Sequence, residues 1–125
     1  FRRVVLSVAL HNTDDHLRNL GLIRKEGGWV LAPVFDVNIN PAAARVRATS
    51  IFGEAGKNEV EGLDSLGEIC GLSAEAKAQI VGETLASVRH WRAFAKRNGC
   101  KDSECELMGR VIEERCAALE SRFAR

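Results

Sequence analysis

"HNTDDHLRNLGLIRKEGGWVLAPVFDVN", residues 11–38, is the stretch on which the reading of the whole chain turns. Its first nine residues hold two aspartates and two histidines, with an apolar run on either side. That composition fits a metal-ligand cluster, a catalytic loop or a polar turn. Beyond it, "LGLI" and "WVLAPVF" are separated by "RKEGG", whose paired glycines supply the positive φ that tight hairpin turns need. A β-hairpin is expected, its second strand lying at an edge or ending near Pro33, which has no N–H to give to a ladder. A hairpin returns the chain to its starting level, so the loops on its two sides lie next to each other. Asp14, Asn19 and Asp36 are therefore expected to converge, although Asp36 is 17 residues beyond Asn19. Carboxylate and amide oxygens of this kind suit Mg²⁺, which takes hard oxygen ligands together with phosphate and water.

Upstream, "FRRVVLSVAL" carries Phe1, Val4, Val5, Val8 and Ala9 at helical spacing and reads as the end of a buried helix. Downstream, residues 38–62 hold no period for long, and "VRATSIF" is the only strand-like run among them. The rest is helical. "LDSLGEIC" predicts a short helix that Gly71 ends. Ser73 is the expected N-cap of a long helix whose apolar face runs through Val81, Leu85, Val88, Trp91 and Ala95 to a stop at Gly99, with Gly82 weakening it. In "SECE", Ser103 and Glu106 match a capping box, and Met108, Val111, Ile112, Cys116, Leu119 and Phe123 form the buried stripe of a last helix. The expected fold class is mainly α with a small β-hairpin, an α+β single domain over 1–125. It divides into a helix, loop and hairpin over 1–40, an irregular segment over 41–62 and a helical bundle over 63–125.

Eighteen basic against 17 acidic residues, a net charge of +1, leave no electrostatic footprint for nucleic acid or an anionic membrane. No apolar run approaches the roughly 20 residues that span a bilayer, and no signal-peptide pattern opens the chain, so a cytoplasmic protein is expected. Cys70, Cys100, Cys105 and Cys116 form no C-x-x-C pair and read as free thiols, with Cys70 and Cys116 on apolar helical faces.

An aspartate followed five positions later by an asparagine, then a hairpin, then an aspartate after an aromatic residue, is similar to a protein-kinase catalytic loop with its metal-binding aspartate. The chemistry accounts for the spacing. In that arrangement Asp14 would orient and deprotonate an attacking hydroxyl, while Asn19 and Asp36 would hold Mg²⁺ against the transferred phosphate. The glycine that commonly follows such an aspartate is replaced by Val37.

More closely, "NTDDHLRN" with "GWVLAPVFDVN" resembles the signature of the HipA-like serine/threonine kinases, the toxin half of bacterial toxin–antitoxin pairs. There the pattern is T-D-x-H-x-K/R-N, a hairpin strand, then L-x-P-x-[YF]-D; its counterparts here are Thr13, Asp14, His16, Arg18, Asn19, Leu31, Pro33, Phe35 and Asp36. "GLDSLGEICGLS" and "VRHWRAFAKRNG" resemble the helical tail of that family. The resemblance implies a protein-kinase-like C-terminal lobe using ATP and Mg²⁺. Asp14 is then the proton acceptor, His16, Leu17, Arg18 and Asn19 border the nucleotide phosphates, and Phe35 with Asp36 completes the nucleotide and metal contacts. The implied partners are an amino-terminal lobe carrying the glycine-rich cover and phosphate-pairing lysine, a protein substrate and a HipB-like antitoxin. Since little chain precedes "NTDDH", the isolated piece is expected to bind ATP weakly and to transfer phosphate negligibly.

Other readings compete. A non-catalytic module that binds a partner is one. A metal-dependent hydrolase built on His11, His16, Asp14 and Asp15 is another, although "HNTDDH" lacks the helical H-E-x-x-H spacing. His16 can instead shape its loop by bonding backbone, and Asn12 and Thr13 can cap a turn. "GEAGKN" lacks the spacing of a phosphate loop. Trp91 and Phe94 read as core or a groove wall, and Arg89, Arg92, Lys96 and Arg97 as a solvated face.

Overall fold

The computed structural model describes residues 1–124; Arg125, the last residue of the expected domain, lies outside them. The fold is mostly helical with one antiparallel hairpin, as the patterning predicts. Helix α1 spans Arg2–Ala9, and strands β1 (Leu22–Lys25) and β2 (Gly28–Leu31) follow it. Four helices then complete the described chain: α2 (Glu59–Ile69), α3 (Ala74–Val88), α4 (Trp91–Arg97) and α5 (Asp102–Phe123).

Helix α1 is short but central, packing against α2, α3 and α5. Val5, Val8 and Ala9 are fully buried on it. Leu63 of α2 and Leu119 of α5 are equally enclosed, each contributing about 2 kcal/mol by burial. The stripe expected on α5 is the observed one: Val111, Ile112, Leu119 and Phe123 are buried, with Met108 and Cys116 half-buried.

Helix ends follow local chemistry. Ser73 caps α3, its hydroxyl accepting from Ala76 N at 3.2 Å. After α2, Gly71 at φ 70° donates to Glu68 O and Leu72 donates to Gly67 O, a Schellman stop. Gly99 ends α4 in the same way, through Lys96 O and Ala95 O.

Some expectations fail for identifiable reasons. The helix predicted to run from Ser73 to Gly99 breaks at Arg89 and His90, and α4 sets off afresh at Trp91. The break lets Trp91 and Arg92 close over Gly109 of α5, where an added Cβ would meet Arg92 Nη2 at 2.4 Å. Helix α2 begins at Glu59, four residues before the predicted "LDSLGEIC", and α5 begins at Asp102. The Ser103–Glu106 box is not the one used, because Glu104 reaches back to accept from Lys101 N at 2.7 Å. "VRATSIF" forms no ladder; Ile51 only bridges Glu54 around a turn at Phe52 and Gly53, both with positive φ. Cys70 is exposed rather than set in an apolar face, and Cys105 is the buried thiol. All four cysteines are free, as expected.

The hairpin agrees with its prediction in detail. Leu22 pairs with Leu31 and Lys25 with Gly28, closing a two-residue turn at Glu26 and Gly27. The ladder stops two residues before Pro33. Every strand residue is exposed, so the hairpin stands off the helical body with apolar side chains on both faces.

Candidate functional site

The polar loop begins where α1 stops. Asn12 N donates to Ser7 O and His11 N to Val8 O, a third Schellman stop, with His11 in the left-handed position at φ 49°. Glycine is the usual residue there; histidine tolerates it better than most. His11 is buried, and its Nε2 lies 3.2 Å from Ala42 O. It therefore ties the loop to the segment beyond the hairpin.

Asn12 and Thr13 are buried behind the loop, and Asp14 turns outward into solvent. Among the described residues Asp14 has no ion-pair partner. Leu17–Asn19 form a single 3₁₀ turn that swings Asn19 back, its Nδ2 donating a long 3.5 Å bond to Asp14 O. Asn19 is thus folded back onto the backbone of Asp14. Leu17 and Arg18 are exposed on that turn.

Two contacts flank Asp36 and tie its segment to the chain before the hairpin. Before it, the Phe35 ring lies 3.5 Å from where a Cβ on Gly21 would sit, two residues past Asn19. After it, Asn40 Nδ2 donates to Thr13 Oγ1 at 2.9 Å and Asn40 N to His11 O at 3.2 Å. Asp36 is exposed, has φ 54°, and accepts from Asn38 Nδ2 at 2.9 Å. Left-handed backbone at a non-glycine carboxylate costs energy that the surrounding structure must hold in place.

The two histidines behave differently from expectation. Among the described residues His16, considered as the loop-shaping residue, makes no ring hydrogen bond, and its Nδ1 is buried without a partner there. His11 does the shaping instead. Among the described residues no group of three or more His, Cys, Asp or Glu side chains could hold a metal, so nothing supports a zinc centre here. Asp14, Asn19 and Asp36 carry oxygen donors, the ligand type that suits Mg²⁺ in preference to zinc.

Behind the loop lies a buried charge cluster that the sequence reading missed. Arg47 Nε donates to Glu59 Oε2 at 2.9 Å, and Arg47 Nη2 donates to Ser7 Oγ at 3.1 Å. Arg115 Nη1 stands 3.3 Å from Glu59 Oε1, in ion-pair range but off hydrogen-bond geometry. Its Nη2 donates to Ala43 O at 3.3 Å. No local pattern marks these three residues. Asn40 did have a signal, since Asn before Pro is a turn opener and its Oδ1 accepts from Ala42 N two residues on.

Elsewhere, an apolar groove of about 510 Å³ runs between α1, α3 and the end of the hairpin, lined by Phe1, Leu6, Leu31, Val34, Thr84 and Ser87. Trp91 is half-buried against the core, and Phe94 is exposed with the Arg97 guanidinium over its ring at 5.1 Å. The basic face expected around them is largely neutralised: Arg89 pairs with Glu120, Arg92 with Glu113 and Lys96 with Asp102. Asp102 holds the Lys96 ammonium above its usual range, and Lys96 in turn holds the Asp102 carboxyl below its own. Among the described residues no helix is long and apolar enough to cross a membrane.

A helical body carrying a polar loop and an outstanding hairpin, with two unpaired carboxylates beside that hairpin, defines a class of domain. The family model for the HipA-like C-terminal domain matches residues 1–122, and the chain belongs to that family. Comparison with curated proteins and with solved structures gave no match.

Proposed function

We propose that this chain is the carboxy-terminal catalytic lobe of a HipA-like serine/threonine protein kinase. In a two-lobed enzyme it would transfer the ATP γ-phosphate to a protein Ser or Thr hydroxyl. The observation that carries this reading is Asp14, an outward-facing carboxylate free of ion pairs, next to an Asn19 folded back on its own backbone.

Asp14 accepts the proton of the attacking hydroxyl and orients that oxygen for in-line attack. A general base must be accessible and not already paired, and Asp14 is both. Asn19 and Asp36 are the residues that would hold Mg²⁺, which supplies charge neutralisation between the β- and γ-phosphates when bound. Backbone and side chains of His16, Leu17, Arg18 and Asn19 border the phosphates, and Phe35 braces Asp36 against Gly21. The left-handed backbone at Asp36 aims its carboxylate, and Asn38 steadies one oxygen.

The exposed hairpin and the apolar groove beside it favour a partner on that side. Leu22, Trp29, Leu31, Val34 and Phe35 are each more than two-fifths exposed, an apolar face larger than scattered surface residues make. An amino-terminal lobe covering it would bring the glycine-rich cover and lysine that ATP transfer needs. A non-catalytic module that docks a partner through the same hairpin is the second reading. A HipB-like antitoxin belongs to either.

The test joins this chain to an amino-terminal lobe of the family and follows ³²P transfer from ATP with Mg²⁺. Transfer is expected, and Asp14→Asn abolishes it while circular dichroism and melting stay those of the parent. Transfer that survives Asp14→Asn removes Asp14 as the base; no transfer from the parent favours the docking module.

A further inference from the structure

We infer that Asn40 is a positioning residue, clamping the Asp36 segment onto the Asp14 loop so that both carboxylates face one divalent cation. The inference rests on the proposed reading of Asp14, Asn19 and Asp36 as a cation site and adds the part that sets their separation.

Asn40 makes three bonds, and their chemistry fixes its orientation. Its backbone N–H donates to His11 O at 3.2 Å. Its Oδ1 accepts from Ala42 N at 3.0 Å; a backbone N–H can only donate, so the oxygen must face Ala42. The Nδ2 therefore faces Thr13 and donates to Oγ1 at 2.9 Å. Only an amide of this length supplies donor and acceptor at once in those two directions. The partners on the other side are two of the three residues that lead into Asp14, both buried: His11 is 3 % and Thr13 8 % exposed.

The consequence is mechanical. Asp36 sits in left-handed backbone on an exposed, irregular stretch with no secondary structure of its own. Its placement depends on anchors at either end of residues 35–40. Phe35 against Gly21 is one anchor. Asn40 is the other, and of these two anchors it is the one bonded directly to the loop that bears Asp14. Thr13 is then more than a turn cap, since its hydroxyl receives the clamp while its carbonyl accepts from Ala48 N at 2.8 Å.

The test uses the ¹⁵N-labelled chain and Mn²⁺, the paramagnetic stand-in for Mg²⁺, read as selective broadening of amide signals. In the unaltered chain, amides at residues 14–19 and at residue 36 broaden together along one titration curve. Asn40→Ala is expected to weaken the titration by about tenfold or more, the scale on which groups that orient metal ligands act, and to separate the two stretches into different curves. Thr13→Val removes the receiving hydroxyl and gives the same result, whereas Thr13→Ser keeps it and restores the single curve. Melting of each variant is followed alongside; if Asn40→Ala fails to fold, Thr13→Val against Thr13→Ser decides. A parent-like titration in Asn40→Ala or Thr13→Val overturns the clamp while leaving the cation site standing. Absence of broadening in the unaltered chain overturns the cation site and the clamp with it.

Discussion

His11 shows how one residue can serve the backbone and the site together. It occupies the left-handed end of α1, where glycine is the easy choice, and its ring reaches Ala42 O. Those two roles can be separated by substitution. His11→Gly keeps the backbone conformation and loses the ring bond; His11→Ala loses the bond and adds left-handed strain, roughly 1 kcal/mol more. Urea unfolding is expected to rank the native chain above His11→Gly and that above His11→Ala. Equal stability of the two variants would mean that the backbone relaxes out of the left-handed region. This position was not legible from sequence. "HNTDDH" advertises its histidines as ligands or acid-base groups, and nothing local distinguishes a ring aimed at a carbonyl 31 residues away. What hairpin geometry did make legible is that the loops on its two sides meet, as Asn40 bonding to Thr13 and His11 shows.

At the level of elements, glycines separate helix packing from helix propensity. In α2, a Cβ on Gly62 would stand 2.1 Å from Ile51 O, which is backbone and cannot swing aside. Gly62→Ala is expected to cost about 1–3 kcal/mol as the turn at residues 51–54 is forced off the helix. Gly82 in α3 meets nothing within 4 Å, so Gly82→Ala gains up to about 1 kcal/mol from propensity alone. Thermal melting of the two variants in opposite directions checks both. Thiols report on the same packing. Burial raises the Cys116 thiol to about 11, and Cys105 is only 1 % exposed, while Cys70 and Cys100 are open. At neutral pH, DTNB is expected to react quickly with Cys70 and Cys100 and with the other pair only on unfolding; four fast thiols would contradict the packing of α5. Ser73, Gly71 and Gly99 were readable as helix punctuation because caps are local chemistry. The break at Arg89 and His90 was not, because no Gly or Pro marks it and the contact it permits, Trp91 and Arg92 over Gly109, is with another helix.

Across the whole molecule, buried charge ties down the segment at residues 41–58 alongside the apolar packing of Ile51. Arg47, Glu59 and Arg115 join that segment to the start of α2 and the middle of α5, and Arg47 reaches on to Ser7 of α1. Two arginines share one carboxylate with little solvent, their side chains 4 %, 9 % and, for Glu59, 4 % exposed. Removing one partner of such a group leaves charge buried without compensation, a loss of about 3–5 kcal/mol, whereas replacing the set with apolar residues of similar volume can be neutral. Glu59→Ala is therefore expected to destabilise the chain by that amount, more than deleting any exposed pair such as Arg2 and Glu83, which pairs in water. Hydrogen exchange gives the sharper readout, since Ala48 N bonds to Thr13 O and reports directly on the seam between this segment and the Asp14 loop. In Glu59→Ala the Ala48 amide is expected to exchange well ahead of the buried amides of α1 and α5. If Ala48 keeps its protection relative to theirs, the charge cluster holds the helices together but not the segment, and the seam rests on its own bonds from Asn40, His11 and Ala48.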